Sequence, residues 1–402
     1  MSYDVAALRA HFPSLASGTA HFDGPGGTQT PREVGEAIAA TLTAPLSNRG
    51  AVGQSEANAD AAVAAFRSAL SDLLGAPPSG IVHGRSATQL TYDFSRTIAR
   101  RWRDGDEVVV SRLDHDANVR PWLQVAEAVG ATVRWIDFDP GTGELDTASV
   151  AAAITPRTRL VAVTAASNLI GTVPPVRSIA DVAHAVGALI WVDGVHYAAH
   201  RFVDVAALGA DFFVCSPYKF LGPHCGVLAA SPDLLETLRP DKLLPATDAV
   251  PERFELGTLP YEQLAGATAA VEFLAAIAPS APSSRRERLR ASLDAVDAHE
   301  LRLRHRLEAG LAALAPDVVL HSRAADRTPT LLLSLPGRRT ADAYRFLATR
   351  DVLAPAGSFY AYETFRRLTI PDEHGLRLGL AAYSTDEDVD RVLDGLRAFL
   401  SV

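Results

Sequence analysis

Lysine is rare in this chain: of 38 cationic side chains only Lys219 and Lys242 are lysines, and the rest are arginine. A solvated surface accepts either cation, so a composition this biased has filled its exposed cationic positions with arginine. Lys219 escapes the bias inside "DFFVCSPYKFLGPHCGVLA" (211–229), where a Val/Phe/Cys run reads as a buried strand and Gly222, Pro223 and Gly226 read as tight turns. Burial penalises an ammonium unless it is neutralised or used chemically. A desolvated lysine shifts its pKa and forms Schiff bases, which a guanidinium does not. Lys219 therefore reads as a Schiff-base amine, and Lys242, in "LRPDKLLPA", as a surface residue.

Other residues able to do chemistry stand just after apolar runs. "IVHG" is followed by Arg85, Ser86, Ala87 and Thr88 at the start of a helical pattern. Such a turn offers N–H groups and hydroxyls to a phosphate, although serine there is also an ordinary helix cap. "EVVVSRL" is followed by Asp114, His115 and Asp116. The imidazole could stack on an aromatic ligand or belong to a hydrogen-bonded loop; a metal fits worst, because two carboxylates and one histidine lack further ligands at suitable spacing. "VAVTAAS" leads to Asn168, and "LIWV" to Asp193 with His196 three residues on. A carboxylate at the end of an apolar strand needs a cation or strong donor, or its pKa rises. A protonated pyridine nitrogen is such a donor, and Lys219 stands ready to form the imine. Phosphate cradle, stacking histidine, buried aspartate and lysine in this order describe a site for pyridoxal 5'-phosphate.

These residues need a scaffold that gathers strand ends. Short apolar strands alternate with amphipathic helices from residue 62 to about 215, which predicts a parallel sheet covered on both faces, with ligands beyond its carboxyl edge. "DGPGGTQTP" (23–31) precedes the first strand of that sheet and reads as a turn capped into a helix at Pro31, not as a nicotinamide-binding fingerprint. After residue 262 the pattern changes to long helices, strands "TLLLSLP" and "LRLGLAAY" and a last helix "DEDVDRVLDGLRAFL", with "APSAPSS" (278–284) as a loop. The expected fold is α/β, with a large domain over 21–261 and a smaller α+β domain from 1–20 and 262–402.

A net charge of −9 with no basic stripe argues against nucleic acid, and "SRRERLRASL" (284–293) reads as a solvated helix face. Two cysteines, Cys215 and Cys225, are too few for a disulfide framework or a zinc site. The first residues carry no signal pattern and no apolar run reaches a membrane span, so the expectation is a soluble cytoplasmic enzyme.

In "LDHDANVRPW", "ASNLIGTVPP", "VDGVHYAAH", "SPYKFLGPHCG", "FELGT" and "LRLGLAAYSTDEDVDRVL" the chain resembles, in order, the motifs of the class V aminotransferase and cysteine desulfurase group of fold type I pyridoxal-phosphate enzymes. The resemblance implies that Lys219 carries the cofactor, Asp193 pairs with its ring nitrogen, and His115 stacks on the ring. It also implies that His196 stands where the group often has glutamine near the ring hydroxyl, and that Ser86, Ala87 and Ser216 hold the phosphate. Thr258 would reach in from a second subunit, which makes a homodimer the implied assembly. Asn168 would lie beside cofactor and substrate, and Arg377 would take the substrate carboxylate as a bidentate fork. Asp23 and Thr28 would lie near the substrate.

The chain departs from that group at one loop. Cysteine desulfurases carry a nucleophilic cysteine there; the matching stretch is "LAPAGSFYAYETF", with Tyr360 after Ser358 and Phe359, and Pro355 near where an arginine is often found. A phenol forms no persulfide. The expectation is therefore β-elimination from a cysteine S-conjugate, with Phe359, Tyr360 and Tyr362 lining the pocket for the S-substituent and Tyr360 donating a proton to the leaving sulfur. Transamination, epimerisation, decarboxylation-dependent deamination and a non-catalytic homologue are the alternatives.

Overall fold

The computed structural model describes residues 3–278 and 284–401. After a two-residue strand β1 (Ala20–His21), seven strands follow: β2 (Ile81–Gly84), β3 (Glu107–Ser111), β4 (Thr132–Ile136), β5 (Thr158–Thr164), β6 (Leu189–Asp193), β7 (Phe212–Cys215) and β8 (Gly226–Ala230). They form one sheet in the order β2-β8-β7-β6-β5-β3-β4. Only β8 runs against its neighbours, between β2 and β7; the remaining pairs are parallel.

The central strands are apolar throughout because both faces are covered. In β5, Val161 and Val163 enter one hydrophobic core while Leu160 and Ala162 enter the other. β3 and β6 divide in the same way, with Val109 and Ile190 on the first side and Val108 and Trp191 on the second. β4, at the edge, is partly exposed.

A second sheet, β9 (Val319–Leu320), β10 (Thr330–Ser334), β12 (Ala356–Gly357) and β13 (Gly375–Gly379), is antiparallel in the order β12-β13-β10-β9, and β11 (Val352–Leu353) pairs with β1. The helix Arg285–Ala312 links the two bodies. Its Leu289, Leu293 and Val296 pack in the large core, and Leu303, Leu307 and Leu311 in the small one. Helix Tyr261–Ala275 packs with the large core, as do Leu8, Phe12 and Leu15. The cores thus do not part at residue 261; we propose a division inside the long helix, with the segment before Ala20 on the large side. The interior of the loop expected over 278–284 lies outside the described residues.

Candidate active site

The carboxyl ends of β2, β3, β5, β6 and β7 open on one edge of the sheet and enclose a cavity of about 630 Å³. Lys219 sits in it on a single 3-10 turn, Pro217–Lys219, entered from Ser216, which also lines the cavity. The lysine is 9% exposed and its ammonium donates to the carbonyl oxygen of Pro25. Burial pushes its pKa down to about 7, helped by the Arg377 cation and opposed by Asp193. Pro25 belongs to the glycine-rich turn at 23–27. That turn is fixed to the small sheet by a bridge from Asp23 to Gly379, and Gly379 has no room for a side chain beside the Pro25 ring.

Asp193, at the end of β6, accepts the Val195 N–H at Oδ1 (2.9 Å). Burial raises its pKa to about 6, against the lowering pull of that hydrogen bond and of Lys219. His115 accepts the Ala117 N–H at Nδ1 (3.0 Å), which assigns the remaining ring proton to Nε2. Burial, with Lys219 and Arg377 adding, pushes its pKa down to about 4, so the ring is neutral at pH 7. Neighbouring Asp114 serves the loop: Asn118 donates to it at 2.7 Å and Ser111 closes on its other oxygen.

Ser86 caps the helix Ala87–Ala99, its hydroxyl accepting the Gln89 N–H at 3.0 Å. The capping reading of this serine holds, and the N–H groups of the first helical turn are what remains for an anion. Ser86, Ala87 and Thr88 all line the cavity.

Opposite them, Arg377 of β13 is buried and donates from Nη1 to the Asn168 carbonyl at 2.9 Å. Its Nε has no partner, and among the described residues no carboxylate lies within ion-pair distance of it. Burial lowers its pKa to about 9, so it remains a cation at neutral pH. The Phe359 ring covers the guanidinium, with 3.7 Å from Cζ to the ring centroid. Asn168 Nδ2 donates to the Phe359 carbonyl at 2.9 Å, while its Oδ1 is buried without a partner. Arg377 Nε and Asn168 Oδ1 are a donor and an acceptor left open in one cavity, as a bound acid and its cofactor require.

His196 lines the cavity too, with Nε2 3.0 Å from both the Thr328 and Thr330 hydroxyls. Burial holds its pKa well below the usual value. Behind it His200 meets it edge-on at 4.8 Å and pairs with the buried Glu300 through Nδ1 at 2.8 Å.

Tyr360 stands at the mouth, 77% exposed, its ring stacked on His115 at 5.6 Å. Thr258 does not line this cavity; it lies in an exposed stretch with Leu256 and Gly257. Thr28 clamps the lysine turn instead of facing the cavity, bonding to Tyr218 O at 3.2 Å and to Leu221 N at 2.9 Å. Sequence reasoning missed the Pro25 carbonyl, a backbone atom with no residue-type signal, and the cover that Phe359, expected only to line the pocket, gives to Arg377.

The sequence profile of the family described as Aminotransferase class-V matches residues 20–392. The chain belongs to this family. An uncharacterized protein of Mycobacterium tuberculosis (strain CDC 1551 / Oshkosh) is 34% identical over 98% of this chain and 99% of its own length. A cysteine desulfurase of Klebsiella pneumoniae subsp. pneumoniae is 32% identical over 75% of this chain and 74% of its own. The crystal structure of the cysteine desulfurase CsdA from Escherichia coli superposes with a TM-score of 0.87 at 26% identity, covering 100% of this chain and 99% of that one. Class V enzymes use pyridoxal 5'-phosphate, and the open Asn168 acceptor, the open Nε of Arg377 and the desolvated Lys219 fit that cofactor and an amino-acid substrate. Among the described residues no helix is long and apolar enough to cross a membrane.

Imine formation requires the neutral amine, whose fraction rises with pH through the lysine's pKa. Uptake of pyridoxal 5'-phosphate by the apoprotein, followed by absorbance, is therefore expected to quicken through about pH 7 and level off above it. A rise centred near the ordinary value of 10.5 would place the Lys219 amine in water.

Proposed function

We propose that this class V protein is a homodimeric, cytoplasmic lyase that cleaves the C–S bond of a cysteine S-conjugate, releasing a thiol with pyruvate and ammonia. One observation carries the reading: neither cysteine reaches the cavity. Cys215 and Cys225 are both buried, burial raises both thiols, Cys225 to about 12, and the loop at the cavity mouth carries Tyr360. A thiolate can depart without a protein sulfur to receive it, whereas sulfur transfer through a persulfide cannot proceed without one.

Lys219 would hold the cofactor, with Asp193 at the ring nitrogen, neutral His115 on the ring face and His196 toward the ring hydroxyl. Ser86, Ala87 and Ser216 would take the phosphate, with Thr258 arriving from the partner subunit. When bound, the cofactor supplies an electron sink that acidifies the substrate's Cα–H. Arg377, with Asn168 beside it, fixes the substrate carboxylate. The Lys219 amine, whose pKa burial brings near neutrality, would take the Cα proton. Loss of that proton and of thiolate from Cβ leaves 2-aminoacrylate, which water converts to pyruvate and ammonia. Tyr360 donates the proton that completes the thiol.

The test is product analysis by mass spectrometry after incubating the cofactor-loaded protein with L-cysteine and S-substituted cysteines. Pyruvate with free thiol, absent in Lys219→Ala, is the expected result. Alanine from L-cysteine would establish desulfurisation instead. Racemised substrate, an oxo acid that keeps its sulfur, or released carbon dioxide would each move the assignment to another class V reaction, and no product at all to a non-catalytic homologue. Tyr360→Phe is expected to slow release of weakly acidic alkyl thiols by up to about 10²-fold and to spare acidic aryl thiols, which leave as anions.

A further inference from the structure

A second cavity of about 550 Å³ opens outside the first, lined by Asp116, Arg120, Ser358, Phe359, Tyr360 and Tyr362. Asp116, Arg120, Phe359 and Tyr360 also line the inner cavity, so the two form one passage. Its single cation is committed. Arg120 reaches Asp116 from Nε at 2.8 Å and from Nη2 at 2.7 Å, and Glu363 from Nη2 at 3.0 Å. Glu363 in turn accepts from Arg112 at 3.2 Å. Among the described residues Arg120 is the one cation that lines the outer cavity; Arg366 lies outside the lining, over the Tyr362 ring at 5.3 Å with its Nη1 3.4 Å from the hydroxyl, and both nearby carboxylates are occupied by arginine.

What the passage does offer is aromatic surface. Tyr360 is 77% exposed and Tyr362 49% exposed, so neither ring is spent on packing the core. Phe359 and Tyr360 hold φ of 53° and 56°, the left-handed region that side chains with a Cβ disfavour. Two such residues in succession cost on the order of 1–3 kcal/mol each and persist only where the surroundings impose them. Asn168 imposes the first through the Phe359 carbonyl, and the Asp116 N–H imposes the second through the Tyr360 carbonyl at 2.7 Å. Site groups themselves hold the rings at the mouth.

We propose that the outer cavity selects amino acids whose side chain ends in a large, uncharged aromatic group, which stacks on Tyr360 and Tyr362. The inference rests on the lyase reading only in placing that group on sulfur. It is tested by binding, apart from bond cleavage. The holoenzyme is titrated with S-methyl-, S-benzyl-, S-carboxymethyl- and S-(2-aminoethyl)-L-cysteine, and with 2-amino-5-phenylpentanoate and norleucine, which carry no sulfur. Dissociation constants are read from the cofactor's absorption. The benzyl and phenylpentanoate ligands are expected to bind about tenfold or more tightly than the S-methyl and norleucine ligands. Tyr360→Ala and Tyr362→Ala, checked for an intact cofactor band, are expected to erase most of that margin. Equal affinity across the series, or preference for a charged end, overturns the proposal. Tight phenylpentanoate and S-benzylcysteine binding without thiol release would sink the lyase reading and leave the selectivity standing.

Discussion

Lys219→Arg is expected to abolish turnover while the protein still folds. The substitution keeps a cation at the end of the lysine turn and so isolates what the charge alone can do. A guanidinium stays protonated, forms no imine with an aldehyde and takes no proton at neutral pH. The cofactor's imine absorption should vanish, and turnover should fall by at least the 10²–10⁴-fold typical of losing a positioned acid–base group. The effect is larger still if covalent attachment orients the ring. Lys242→Arg is the matched control, since Lys242 pairs with Asp248 at 3.2 Å and with the Ala246 carbonyl at 2.8 Å, outside the cavity. Retained turnover in Lys219→Arg would mean that the buried lysine is a structural cation held by the Pro25 carbonyl, and the lyase reading would fall with it.

The ends of the central strands were legible because each apolar run stops where a polar residue begins, and a parallel sheet turns those stops into one edge. Asp193, Asn168 and Lys219 could be placed on that edge from order alone. The antiparallel course of β8 left no such trace, because an apolar strand reads the same in either direction. The helix read from residue 62 begins at Gln54, since its first two turns are rich in small and polar residues. What closes its start is Glu56, whose side chain accepts the Val52 and Gly53 N–H groups at 2.7 and 3.0 Å. Hidden from the sequence were contacts between distant segments: Phe359 on Arg377, Thr328 and Thr330 on His196, and the Pro25 carbonyl on Lys219. The contacts of His196 and Lys219 join residues of the large sheet's edge to the small domain and the amino-terminal turn, while Phe359 meets Arg377 within the small domain, from the loop after β12 to β13. Spacing along one chain carries no record of such meetings.

Gly226→Ala is expected to cost the protein most of its affinity for the cofactor, through its phosphate. Gly226 opens β8 and pairs with Gly84 of β2, so the ladder fixes its place. A Cβ there would lie 2.3 Å from the Ser86 carbonyl carbon and 2.6 Å from the Ala87 nitrogen, backbone atoms that no rotamer change can move aside. The relief open to the chain is to push the start of the Ala87–Ala99 helix away from the sheet, and with it the N–H groups that face the cavity. Hydrogen bonds to a charged group contribute about 1.5–3 kcal/mol each, so losing two weakens binding by roughly 10²–10⁴-fold. Overpacking alone would lower stability by about 1–3 kcal/mol, which denaturant titration of the apoprotein reads separately. Pyridoxal, which lacks the phosphate, separates the causes. If the glycine's role is to let the helix start approach an anion, the penalty falls on pyridoxal 5'-phosphate and nearly vanishes for pyridoxal. Equal penalties for both would mean that the added methyl distorts the whole cavity, and that the phosphate is held elsewhere.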